Sequence, residues 1–273
     1  MVLDSPVVFA YCAVLMAVLG LCMGSFVNCM AWRVTHGESV MHGRSHCTTC
    51  GHELGILDLI PVLSWVFSRG RCRYCGEHVS GRYPITELVS GVAYVSVFLV
   101  YGLSLETIEL CAFCSALLAL SLIDLDSLII PNSIILFCIA VRAAYIVAVG
   151  VTGQGDVAML VRDTLIGGFA VAVPLLLLSL VMDRVLGRDS LGGGDLKLLF
   201  VAGLYFGWMQ CLFLVLVACI VGLVAGPLLR GRSKPEDADP KSFPFGPAIA
   251  IACWICMLAG GPVVSWYLNM FLI

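Results

Sequence analysis

Apolar residues in this chain run in long blocks, not in the alternation of a half-buried strand or the narrow stripe of a soluble helix. From Ser5 to Trp32 no charged residue occurs. Blocks of this kind, ended by charged or turn residues, predict membrane helices near 7–29, 86–103, 107–124, 130–149, 163–183, 193–207, 209–229 and 246–268, most of them close to the roughly 20 residues that cross a bilayer. The sixth and seventh are the least separated, because Leu198 to Leu229 is one uncharged stretch of 32 residues. One helix of that length would be about 48 Å long, whereas a hairpin near "FGWMQ" would make two short spans. Between Arg33 and Tyr83 the pattern changes to a hydrophilic excursion, long enough for a small domain but poor in residues for an apolar core. Such a segment needs a staple. A later polar stretch, "RGRSKPEDADPKS", reads as a flexible connector.

The expected architecture is therefore all-α, a polytopic membrane helix bundle of about eight transmembrane helices with a small stapled loop domain. The expected divisions are a first span in 1–32, the loop in 33–83 and the remaining bundle in 84–273. Composition agrees: 60% hydrophobic and 12% charged residues, with a mean hydropathy of +1.03, exceed what one soluble core hides. The first block is too long for a signal-peptide core and has no A-x-A-like site, so a retained span is expected. A net charge of −3 says little; its distribution says more. Arg33, Arg44, Arg69, Arg71, Arg73 and Arg82 fall between spans one and two, Arg184 and Arg188 between five and six, and Arg230, Arg232, Lys234 and Lys241 between seven and eight. Eight crossings put all of these on one face, with only Arg162 in an opposite loop. The positive-inside rule makes that face cytoplasmic and both termini external.

The excursion contains "CTTC" at 47–50 and "CRYC" at 72–75, two C-x2-C pairs 21 residues apart. Each pair can grip one ion from a tight turn, and Cys47, Cys50, Cys72 and Cys75 together supply the four thiolates of a closed structural zinc site. The alternatives are two disulfides, disfavoured on a reducing cytoplasmic face, or four buried free thiols. The other ten cysteines lie in apolar spans and read as packing residues.

Charges inside the spans are few. Asp124 and Asp126, in "SLIDLDSLIIPNS", end the third span, and Asp195, in "GGGDLK", belongs to the sixth. Span parity places them at the same face although about 70 residues separate them in sequence. An acid near hydrocarbon is a functional-site hypothesis by default, and two that converge can divide the labour of acid and base, as in aspartic proteases. Gly192 and Gly194, lacking side chains, would let a peptide backbone approach. The plain alternative is that these acids cap helices or sit solvated beside Arg184, Arg188 and Lys197.

Taken in order, "GSFVNCMAWR", the four-cysteine loop with its continuation "SGRYPITELVSG", "IDLDSLIIPN", "GGGDLKLL" and "FPFGPAIA" resemble the type IV prepilin peptidases, membrane aspartyl proteases with a G-x-G-D motif, distantly similar to presenilin. The likeness covers nearly the whole chain. It implies that Asp124, seven positions before Pro131, and Asp195 are the catalytic pair, with Asp126 a neighbour that helps to set their ionisation. It also implies cleavage of the basic leader of prepilins or pseudopilins on the cytoplasmic face of a bacterial inner membrane, and methylation of the new N-terminus from S-adenosylmethionine. The chain lacks a glycine-rich fingerprint for that donor, so methylation rests on the resemblance. Departures are small: "CTTC" lacks the proline common after the first cysteine, and "AWRVT" replaces the usual end of the first motif.

Ser25, Asn28 and Pro131 are candidate substrate contacts. Glu87 could assist the site or bind a leader lysine, against the ordinary preference of helix starts for acids. Lys197 could position Asp195 or snorkel to the interface. Arg142, inside the fourth span, reads as snorkelling or structurally paired. Membrane lipid is the expected surrounding and no nucleic-acid partner is expected. Two rival readings remain: a proton- or cation-coupled transporter using the same acids, and a zinc-stapled scaffold without activity.

Overall fold

The structure is a computed structural model and describes residues 5–40, 42–187, 191–229 and 244–271. The connector at "RGRSKPEDADPKS", with its basic residues, and Arg188 lie outside them. The order of elements is α1 (Pro6–Thr35), a short 3-10 turn (Ile56–Asp58), α2 (Leu63–Phe67), α3 (Arg82–Tyr101), α4 (Leu105–Ser127), α5 (Asn132–Thr152), α6 (Val157–Leu186), α7 (Gly193–Leu229), α8 (Gly246–Ile255), a π-helical turn (Cys256–Gly260) and α9 (Gly261–Phe271). Among the described residues, extended pairing is limited to two isolated bridges, His46 with Glu53 and Arg71 with His78. Among the described residues, seven helical stretches are long and apolar enough to cross a membrane, the last of them running through α8 and α9. The chain divides into two compact units, 1–103 and 104–273.

In the first unit α1 and α3 pack backbone to backbone. A methyl group on Gly20 would lie 2.8 Å from the Cα of Gly91, and one on Gly24 would lie 2.7 Å from the Cα of Glu87. Small residues four apart are how helices approach closely in lipid, where no hydrophobic force separates protein from tails.

In the second unit α4 is the core helix, buried from Leu110 to Asp124 along most of its length. It ends when Leu128 enters the left-handed region at φ 56° and donates its N–H to the Asp124 carbonyl. The predicted sixth and seventh spans are one continuous helical segment broken at Gly207, whose φ of 72° and ψ of 172° belong to a region open essentially to glycine alone. The chain doubles back there. Going out, Lys197 meets Asn132 and Tyr205 donates to the Cys138 carbonyl, six residues further along α5. Coming back, Gln210 contacts Cys256, whereas Gly222 lies against the ring of Phe245, at the start of α8. The two halves of α7 are thus a hairpin within the bundle, which reconciles seven long helical stretches with eight crossing segments.

Buried acids occur at both ends of α4. Near the end opposite Asp124, buried Glu109 accepts both 3.1 Å and 3.2 Å hydrogen bonds from Arg142 Nη1, and the same guanidinium donates to Thr164 Oγ1 at 3.0 Å and 3.3 Å. The Tyr145 and Tyr205 rings flank it at 5.4 Å and 5.5 Å. Arg142 is therefore paired inside the bundle, joining α4, α5 and α6, and does not snorkel.

Candidate functional site

The second unit holds the acids. Asp124 sits in the last turn of α4 and is buried. Its Oδ2 accepts a 2.8 Å hydrogen bond from the backbone N–H of Gly246, the first residue of α8. That approach requires glycine, since a methyl there would stand 2.7 Å from the same oxygen. Sequence reasoning missed Gly246 as a site residue; the only signal was its place in "FPFGPAIA", and nothing local to that stretch says what its N–H meets.

Asp195 lies in the first turn of α7, where the exposed N–H groups of a helix start favour an acid. Its neighbours carry it to the α4–α5 turn: a methyl on Gly194 would fall 2.9 Å from Ile130 Cβ, and Lys197 Nζ donates to Asn132 Oδ1 at 2.9 Å. Asp124 and Asp195 are within electrostatic range of each other. Asp126 is exposed and Pro131 precedes α5 at φ −65°. The glycines divide in role. Gly192 faces Asp195 Oδ2, Gly194 is filled by Ile130, and Gly193 opens onto free space.

The first unit brings together the four cysteines, Cys47, Cys50, Cys72 and Cys75, whose sulfurs all lie within 4.8 Å of one another. The Cys47–Cys75 separation is 3.9 Å, near the edge of about 3.8 Å that a tetrahedron with 2.3 Å zinc–sulfur bonds requires. Two matching knuckles build it. In each, the first cysteine's N–H donates to a carbonyl five residues on, His52 or Glu77, and its carbonyl accepts from Gly51 or Gly76. Backbone N–H groups of Cys50 and then Thr49 push the Cys47 thiol down from 9.0 to about 6, which favours the thiolate a metal needs. The cluster can hold a metal ion, and its all-thiolate donor set is that of closed structural sites.

Beside the knuckles is a cavity of about 430 Å³ whose lining includes Trp32, Asp58, Trp65, Tyr74, Tyr83 and Glu87. Ser25 also borders it. Glu87 Oε2 accepts the Val62 N–H at 2.7 Å, and buried Asn28 donates to the Tyr83 carbonyl at 3.2 Å. Asn28 thus ties α1 to α3, and Glu87 ties α3 to the loop.

Residues 18–101 match the Bacterial Peptidase A24 N-terminal domain and residues 111–226 match the Type IV leader peptidase family. Proteins named prepilin leader peptidase/N-methyltransferase are similar over most of the chain. That of Myxococcus xanthus is 34% identical over 239 residues, 86% of this chain and 69% of the relative. That of Aeromonas hydrophila is 33% identical over 235 residues, 86% and 78%. That of Bacillus subtilis is 31% identical over 261 residues, 93% and 97%. No solved structure matches. On these matches, the chain belongs to the type IV leader peptidase family.

Proposed function

We propose that this protein cleaves the basic leader of a prepilin or pseudopilin at the cytoplasmic membrane face, with Asp124 and Asp195 as the acid–base pair, and then methylates the exposed N-terminus. The observation that carries the reading is the convergence of two acids from distant helices at one end of the second unit, with Gly246 N–H on one oxygen of Asp124. One carboxylate takes a proton from water as the oxygen attacks the scissile carbonyl, while the other, protonated, donates to the carbonyl oxygen. Collapse of the tetrahedral intermediate passes a proton to the departing amine. Gly246 holds Oδ2, so Oδ1 of Asp124 is the oxygen that acts on water in this reading. A transporter using these acids is not favoured, because the relatives bear peptidase names.

The four cysteines take zinc in this reading, as a staple: four protein thiolates leave no open position for water. S-adenosylmethionine supplies the methyl group for the new amine. The cavity beside the knuckles suits it in volume and lining, since indole and phenol rings stack on adenine and attract a sulfonium, and Asp58 and Glu87 offer acceptors for hydroxyl or ammonium groups.

The test uses purified protein in detergent with a prepilin, comparing wild type with Asp124→Asn and Asp195→Asn. Loss of cleavage in both, with helix content and metal content unchanged, is expected; normal cleavage by either removes the dyad. Donor binding is read separately, as quenching of tryptophan emission by S-adenosylmethionine that Trp65→Phe weakens. Emission unmoved by the donor would take this cavity out of the proposal.

A further inference from the structure

The segment 55–67, between the two knuckles, is built inside out for a loop in water. Its only charged residue, Asp58, turns inward: the side chain is 11% exposed, accepts from Gly55 N–H at 3.1 Å and Tyr74 Oη at 3.0 Å, and pairs with Arg73. Trp65 also turns inward, donating Nε1–H to the Val79 carbonyl at 3.0 Å. The aliphatic and aromatic side chains instead point out, with Ile56 at 85%, Leu57 at 64%, Leu63 at 52% and Phe67 at 77% exposure. Contiguous apolar surface of this kind, outside any span, needs a cover.

Its position identifies the cover. Val62 is held through its N–H by Glu87, five residues beyond the start of α3. Five residues are about 8 Å of helix. At 20 residues, α3 is about 30 Å long, so it has no length to spare beyond the roughly 30 Å hydrocarbon layer. A chain segment fastened to Glu87 therefore sits at the boundary of headgroups and acyl chains, the depth at which interfacial segments bury their apolar side. Exposed Arg69 and Arg71 follow the segment directly and match anionic headgroups in charge.

We infer that residues 55–67 form an interfacial anchor that dips into the lipid surface and holds the cysteine knuckles against the membrane. The occupant of this apolar face is lipid, anionic at its head. The inference stands independently of the catalytic reading.

To test it, the full-length protein is reconstituted in vesicles of phosphatidylethanolamine and phosphatidylglycerol, with the photoreactive residue p-benzoylphenylalanine at Phe67 in one variant and at Leu57 in another. Both positions are exposed, so neither substitution disturbs packing, and retained metal content checks the fold. Illumination is expected to yield lipid adducts at both. In parallel, an environment-sensitive fluorescent amino acid at Phe67 should lose most of its emission to lipid spin-labelled near the head of the acyl chain and little to aqueous iodide. Adducts to protein, from the same chain or a second copy, would overturn the inference, as would iodide quenching without lipid quenching. The double change Ile56→Asp with Phe67→Asp, read with the fluorophore at Leu57, should shift quenching from lipid to iodide; no shift would also count against lipid as the cover.

Discussion

At the scale of residues, Asp124 and Asp195 stood out in the sequence because charge inside a span is costly and rare, whereas Gly246 did not, because its contribution is a backbone N–H supplied from 122 residues away. A hydrogen bond to a charged group contributes about 1.5–3 kcal/mol, so displacing it should cost roughly 10- to 100-fold in rate. Gly246→Ala is accordingly expected to lower kcat for prepilin cleavage by that factor while the protein still accumulates, and Gly193→Ala, which meets open space, to leave it near wild type. Equal activity of the two variants would mean that the Gly246 contact is incidental. The cysteines were legible for a different reason: the C-x2-C spacing is local, and each knuckle folds on itself. The pH response follows from Cys47. With its thiol lowered from 9.0 to about 6 by the N–H groups of Cys50 and Thr49, the thiolate contribution to metal binding is full above the unfolded value and is lost as pH falls through about 6. Zinc, followed with a chromogenic chelator during acidification, should stay bound near neutrality and leave as the pH approaches that value. Release that is independent of pH would show that thiolates do not hold the metal.

At the scale of elements, hydropathy blocks located the helices well because each crossing is a long local pattern, and they failed where partners come from different helices. Nothing near Arg142 in sequence names Glu109, 33 residues earlier, or Thr164, 22 later; the bundle alone joins them. Side-chain exposures of 11% for Arg142 and 3% for Glu109 put this pair among those whose one-sided loss costs about 3–5 kcal/mol. Arg142→Met should therefore lower the thermal midpoint of the detergent-solubilised protein sharply, leaving a carboxylate stranded among α4, α5 and α6. The double variant Arg142→Met with Glu109→Leu should recover most of the loss, because the cost lies in the unpaired charge. If the double variant is as unstable as the single one, packing by the guanidinium, including its rings Tyr145 and Tyr205, is what matters and the pairing account is wrong.

At the scale of the whole molecule, the count of crossings turns on a single residue. The 32 uncharged residues from Leu198 to Leu229 give no local reason to stop, and only Gly207, at φ 72° and ψ 172°, can take the backbone out of the helix there without strain. The return path is fixed by two contacts on α8 and the turn after it: Gly222 at Phe245 and Gln210 at Cys256. Leu229 consequently emerges at the end of the bundle that carries Asp124 and Asp195. An unbroken helix would deliver it at the other end, moving Arg230, Arg232, Lys234 and Lys241 to the face opposite Arg184 and against the positive-inside rule. Reporter fusions separate the two cases: green fluorescent protein, which matures only in the cytoplasm, and alkaline phosphatase, active only outside, joined after Leu186 and after Leu229. Both junctions should fluoresce and lack phosphatase activity, whereas a fusion after Thr152 should show the reverse. Phosphatase activity after Leu229 would convert the Gly207 reversal into a straight crossing. Gly207→Val, which forbids that backbone conformation, should reduce accumulation of the intact protein, since the hairpin is what returns the second half of α7 to α8.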